Sequence, residues 1–150
     1  MNAARHVILV TTVLMLAVTP ALAAGPGFEA ELDPTPFDAT TRADVIKSIG
    51  NVTAILEGST LTISGSFSNM ASPATGASVR IGLAKGVPGD AIGTLTATHA
   101  ANGSVSGSVK LSAAQVAALN KQALYIRIDS EKAPDGNLQG WLEANGAKGE

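Results

Sequence analysis

The residues equipped to do chemistry are few. Asp129, Glu131 and Asp135 lie within one short stretch, DSEKAPDGN. With neighbouring carbonyls they could cup a hard cation such as Ca²⁺, which takes oxygen ligands. The stretch lacks the D-x-D-x-D-G order of a calcium loop, so these three are candidate metal ligands without a motif. Glu29, Glu31, Asp33 and Asp38, together with Asp129, Glu131 and Asp135, are carboxylates that could serve acid–base work. Glu29 and Glu31 alternate with Phe28, Ala30 and Leu32, which puts them on the wet side of a strand and favours solvated surface carboxylates. The chain has no Cys, and apart from His6 its only His is His99, beside the Ala100–Gly103 turn. No strained G-x-S-x-G elbow is present, so a nucleophile–base pair has no frame. Gly86-x-x-Gly89 is not followed by Lys-Ser/Thr or a helix, as a phosphate cradle would require, and reads as loop punctuation. Trp141, the single Trp, is a candidate partner contact on a late strand, set against a core or edge-covering role. Asn51-Val52-Thr53 and Asn102-Gly103-Ser104 match the glycosylation pattern, but strand and turn chemistry already account for both. No cofactor site emerges.

Composition narrows the partners. Residues 1–23 read as a secretory signal peptide: Arg5 and His6 are a basic start, Val7–Val18 an apolar core, and Pro20-Ala21-Leu22-Ala23 ends in an A-x-A cleavage pattern. The apolar run falls short of the roughly 20 residues a spanning helix needs. The expectation is an exported protein, periplasmic or extracellular, with no stable membrane span after cleavage. Without Arg5, nine basic residues face twelve acidic ones, a net charge of −3. That balance gives no basic stripe for a nucleic acid, and the scarcity of aromatics gives no stacking platform. Lacking disulfides, the domain must rely on its core, which a mature chain of about 125 residues can build.

The elements that must position these groups are mostly strands. Phe28–Leu32 alternates and is stopped by Pro34 and Pro36. Thr41–Ile49 fits a helical turn or a loop. Asn51–Met70 is the clearest hairpin: Val52, Ala54 and Leu56 run into Glu57-Gly58-Ser59, and Leu61, Ile63 and Phe67 emerge with Thr60, Thr62, Ser64 and Ser66 on the wet face. Ala71–Gly76 is a loop, Ala77–Ile81 a strand and Lys85–Asp90 a loop. Ala91–His99 and Val105–Leu111 are strands joined through Asn102-Gly103. Ser112–Asn120 is a helix, with Ser112 as N-cap and Gln115 completing a capping box. In Leu124–Leu142, Leu124, Ile126 and Ile128 alternate with Tyr125, Arg127 and Asp129. Pro134-Asp135-Gly136-Asn137 then turns the chain, with Asp135 bonding back to the backbone and Gly136 taking a positive φ. The tail 144–150 is polar and expected to fray. Short strands at regular spacing with one short helix near 112–120 indicate an all-β fold, an antiparallel β-sandwich or Greek-key barrel of about seven or eight strands.

Three blocks of this sequence resemble the CHRD family, the domain first described in chordin and common in bacterial secreted proteins. Asn51–Met70 is similar to its G-x-L-x-V-x-G-x-F-x-x-L segment. Ala77–Gly82, followed by Gly86–Gly89, takes the place of its A-H-I-H-x-G and its Gly-Pro-rich loop. Leu124–Leu142 resembles its closing Y-V-N-V-H-T-x-x-x-P-x-G-x-I-R-G-Q-L, matched at Tyr125, Pro134, Gly136 and Gly140. The resemblance covers roughly Phe28–Leu142, so one domain over 24–143 is expected, and it implies a β-sandwich module. It places the family's two strand His on Ser78 and Arg80, and its later His on Asp129. Two His at i and i+2 share a strand face, a geometry open to a metal. This chain keeps neither, and an Arg80–Asp129 pair across strands is expected instead.

The functional expectation is a non-catalytic exported module that binds a partner protein or a component of the cell envelope. The alternatives are an accessory subunit of a periplasmic oxidoreductase system and a carboxylate-based metal-binding protein or hydrolase.

Overall fold

A computed structural model of the protein describes residues 24–146; the expected signal peptide and the last four residues of the expected tail lie outside them. The strands are β1 (Gly27–Pro34), β2 (Ile49–Glu57), β3 (Thr60–Ser68), β4 (Ala74–Ile81), β5 (Asp90–Ala97), β6 (Gly103–Lys110), β7 (Leu124–Ser130), β8 (Leu138–Trp141) and β9 (Glu143–Ala144), with helices α1 (Arg42–Val45) and α2 (Ala113–Asn120). All pairings are antiparallel, in the order β2-β3-β6-β5-β4-β7-β8-β1, and β1 pairs back onto β2. The expected all-β fold is therefore a closed eight-stranded barrel, with β9 added alongside β1. Closure leaves none of the eight barrel strands with a free edge along its whole length. It is flattened like a sandwich, because two seams are short. β5 meets β6 only at Thr96↔Ser106 and Ala97↔Val105, and β1 meets β8 only at Asp33↔Gln139 and Pro34↔Leu138.

Alternation dictates the layers. Leu61, Ile63 and Phe67 of β3 face Val52, Ala54, Val105 and Val109 inside, while Thr60, Thr62, Ser64 and Ser66 stay exposed. Ile126, Ile128 and Leu138 have no exposed surface, and burying each contributes about 1.5–3 kcal/mol. Gly58 turns β2 into β3 at φ +61, which glycine adopts without a Cβ clash. Ser112 caps α2 by accepting from the Gln115 N–H, and Gln115 reciprocates at the Ser112 N–H, the expected capping box. α2 closes one end of the barrel with Leu119. Among the described residues no helix is long and apolar enough to cross a membrane.

The stretch 41–49, which fits a helical turn or a loop, holds one helical turn, α1. Two boundaries differ from the sequence reading. β4 starts at Ala74, inside the stretch read as a loop. Ala144 and Asn145, assigned to the fraying tail, are held: Ala144 pairs with Phe28, and the Asn145 N–H donates to the Gly27 carbonyl at 2.9 Å. Ladder bonds to β1 secure what polar composition alone marks as loose.

Candidate functional site

The register of the β4–β7–β8 sheet decides which side chains meet. Ser78 lies opposite Arg127, Arg80 opposite Tyr125, and Gly76 opposite Asp129. On the other side of β7, Arg127 faces Gln139 and Tyr125 faces Trp141. Cross-strand partners share a face. Ser78, Arg80, Tyr125, Arg127, Asp129, Gln139 and Trp141 thus stand together on the outer face, while Val79, Ile126 and Ile128 point into the core.

This face is only half wet, because two segments fold over it. The loop between β4 and β5 is pinned by Tyr125, whose ring is 1% exposed. The Tyr125 hydroxyl accepts from the Gly89 N–H at 3.0 Å and donates to the Gly89 carbonyl at 3.1 Å. Arg80 Nε donates to the same carbonyl at 3.0 Å and to the Tyr125 hydroxyl at 3.1 Å. The segment after β1 forms the other wall. Asp38 organises it, with Oδ1 accepting from both the hydroxyl and the N–H of Thr40 and Thr41. Those bonds, led by the Thr40 hydroxyl, hold the Asp38 carboxyl down to about 2. Between the walls lies a cleft of about 340 Å³ floored by Tyr125, Arg127 and Gln139 and rimmed by Phe37, Pro88 and Pro134. A larger depression of about 1080 Å³ runs beside α1 past Arg42, Lys47 and Met70. Its lining is mostly exposed surface and holds none of the positions singled out in the sequence, so the smaller cleft is the better candidate.

A buried polar network fixes the wall formed by the β7–β8 turn. Asn137 is fully buried. Its Nδ2 donates to Ser48 Oγ at 2.7 Å, and its Oδ1 accepts from Ser130 Oγ at 2.8 Å. Thr35 Oγ1 donates to the Gly136 carbonyl at 2.8 Å, and the Thr35 N–H to the Asn137 carbonyl at 3.1 Å. Gly136 takes φ +129, as expected, and a Cβ there would press on Thr35 and Arg127. Asp135 was expected to stitch this turn; it is instead exposed and takes no part in the turn's hydrogen bonds.

The electrostatics centre on Asp129. Its Oδ1 sits 2.8 Å from Arg127 Nε at an angle outside hydrogen-bond geometry, and its Oδ2 accepts from Arg127 Nη2 at 3.5 Å. Burial pushes the Asp129 carboxyl above its ordinary value, against the attraction of Arg127 and, more remotely, Arg80. The expected Arg80–Asp129 pair is not formed. The face is shared, but the register sets Arg127 between them, and Arg80 turns to Tyr125 and Gly89. Among the described residues Ser78 Oγ is buried without a hydrogen-bond partner.

The remaining candidates disperse. Asp129 belongs to Arg127, Glu131 lies 3.5 Å from His99 Nε2, and Asp135 stands at the cleft rim. Among the described residues no three His, Cys, Asp or Glu side chains converge to hold a metal, so the candidate set Asp129, Glu131 and Asp135 is not a ligand cluster. His99 Nδ1 is 2.8 Å from the Ala74 carbonyl. Gly140 faces inward, where a Cβ would come within 2.2 Å of the Glu31 carbonyl oxygen; it lets β8 approach β1. Trp141 is half-buried and stacks on Tyr125 with ring centroids 4.4 Å apart. Sequence reasoning missed Arg127 and Asn137. The alternation of β7 marks Arg127 as outward, while nothing local distinguishes Asn137 from an ordinary turn residue.

Ser78, Arg80, Tyr125 and Asp129, drawn from two segments more than forty residues apart, thus meet on one face. Compared with known families, residues 28–142 match the CHRD domain. No curated protein and no solved structure matches the chain.

Proposed function

The chain belongs to the CHRD domain family, and from that premise we propose that it is an exported, non-catalytic β module that docks a partner protein or an envelope component through the cleft on its β7–β8 face. The observation that carries this reading is the convergence of Ser78, Arg80, Tyr125 and Asp129 on one half-buried outer face beside a walled cleft. A scaffold face needs no such investment. Half-buried guanidiniums and an orphaned hydroxyl cost stability, and although Arg80 helps to pin the β4–β5 loop through Gly89, that role leaves the Ser78 hydroxyl and the cleft beside it unexplained. Phe37, 40% exposed at the rim, supplies an apolar anchor of the kind that docking surfaces use.

The test compares retention on immobilised protein and on a double variant, Phe37→Ala with Gln139→Ala, whose side chains line the cleft outside the core. Secreted and envelope fractions are passed over both. A defined component held by the unaltered protein and released by the variant is the expected result. Retention that ignores the variant, or none at all, overturns the reading.

A further inference from the structure

At the end of the barrel that carries the β7–β8 turn, an imidazole and a carboxylate stand face to face. His99 follows β5, Glu131 follows β7, and both are seated on the start of β4. The Ala74 N–H donates to the Ala100 carbonyl at 3.0 Å, and the Glu131 N–H to the Pro73 carbonyl at 3.1 Å. The His99 ring is fixed as well, with Nδ1 2.8 Å from the Ala74 carbonyl. A carbonyl only accepts, so Nδ1 carries the proton, and in the neutral ring Nε2 is left with a bare lone pair. That nitrogen lies 3.5 Å from Glu131 Oε1, beyond the range of about 2.7–3.2 Å of an N–H···O hydrogen bond. Two acceptors thus face each other across a gap that neither closes. Lys132, the next residue of the turn, reaches instead to Asp44 at 3.7 Å. The side chains of His99 and Glu131 are both more than half exposed, so an ion reaches them directly from solvent.

We propose that His99 Nε2 and the Glu131 carboxylate together bind a divalent transition-metal ion of the zinc class. Zn²⁺ takes imidazole nitrogen at about 2.0–2.1 Å and carboxylate oxygen at about 2.0–2.2 Å, in tetrahedral geometry. Those bond lengths set the two donor atoms about 3.4 Å apart, against 3.5 Å between Nε2 and Oε1. The other ring nitrogen, bonded to a backbone carbonyl, is the arrangement that metal-bound His side chains usually show, because it fixes the tautomer and the ring's orientation. Ca²⁺ and Mg²⁺ prefer oxygen and pass over imidazole. Among the described residues no third His, Cys, Asp or Glu joins the pair, so the two remaining positions take water. The bound ion staples the β5–β6 turn to the β7–β8 turn, whose later residues, Lys132 to Gly136, wall the cleft. Neither His99 nor Glu131 lines that cleft, so the metal site stands or falls independently of the docking reading.

The test titrates ZnCl₂ into the purified, untagged protein by calorimetry, in a buffer that does not bind zinc, while NMR follows the His99 ring nitrogens. Saturable binding of one Zn²⁺ per chain is expected, with the Nε2 resonance moving and Nδ1 staying protonated. His99→Gln abolishes it. Glu131→Gln weakens it by at least about tenfold, the lower end of what even groups behind a metal ligand are worth. Zn²⁺ raises the urea midpoint of the unaltered protein, since an ion held by the folded chain stabilises it, and leaves that of His99→Gln where it was. Metal-free urea midpoints establish that both variants, changed at exposed positions, are folded. No saturable heat by about 1 mM Zn²⁺ leaves an exposed ion pair of little worth and overturns the proposal. Binding that survives His99→Gln overturns it too. Binding lost in His99→Gln but unchanged in Glu131→Gln belongs to a lone surface imidazole and has the same consequence, as does displacement of Zn²⁺ by excess Ca²⁺, which would assign an oxygen-seeking cation instead.

Discussion

Asp129 shows how a single side chain can be costly and kept. Burial raises its carboxyl from the ordinary 3.8, so the folded state binds its proton more tightly than the unfolded chain does. The stability tied to that proton is fully present below the ordinary value and is lost as pH rises through the raised one. Asp129→Asn removes the titration. Its stability relative to the unaltered protein should therefore climb between pH 3 and 7, read as urea midpoints at each pH; a difference that is flat or falls contradicts the burial argument. Asp38 has the opposite sign. Held at about 2, its contribution is present above the ordinary value and is lost as pH falls towards 2. The sequence shows Arg127 and Asp129 as outward residues of an alternating strand, and it shows Arg80 as a charge on another. Which guanidinium takes the carboxylate depends on cross-strand register, which no local pattern of residues carries.

The β7–β8 turn is the element on which the site depends, because its buried Asn137 ties together Thr35 just after β1, Ser48 just before β2, and Ile128 and Ser130 of β7. Asn137→Ala leaves the buried Ser48 hydroxyl without its partner and Ser130 Oγ with the Ala133 N–H alone. The expected cost is about 2–3 kcal/mol, measured by denaturant unfolding, with amides of residues 131–137 exchanging faster; a loss within about 0.5 kcal/mol, the size of an ordinary surface change, would show the network to be dispensable. Elements with a periodic signal are legible in advance. The β2–β3 hairpin, the capped α2 and the β7 alternation all follow from residue spacing. The segment 35–45 is not legible in this way. It has no period, and its shape comes from Asp38 gathering Thr40 and Thr41 and from Thr35 bonding a turn a hundred residues later. One wall of the cleft is therefore invisible until the chain is folded.

At the scale of the molecule, the same alternation serves a sandwich and a barrel equally, so the sequence leaves that choice open. Closure comes from the distant pairs β3–β6, β4–β7 and β1–β8. The two seams are the thinnest parts of the hydrogen-bonded wall, with two paired positions each. Native-state hydrogen exchange should find the lowest strand protection at Thr96, Ala97, Ser106 and Gln139 and the highest in the β2–β3 and β4–β7 centres; uniform protection around the barrel would mean that the seams open only with the whole fold. A different consequence follows from β9. Because Ala144 lies against Phe28 and Asn145 against Gly27, the chain enters and leaves the barrel at one spot. The module is built like a pendant on a single hook: another protein could carry it as an insertion in a surface loop, or string several in a row, without disturbing either the host or the face that Arg80 and Arg127 present.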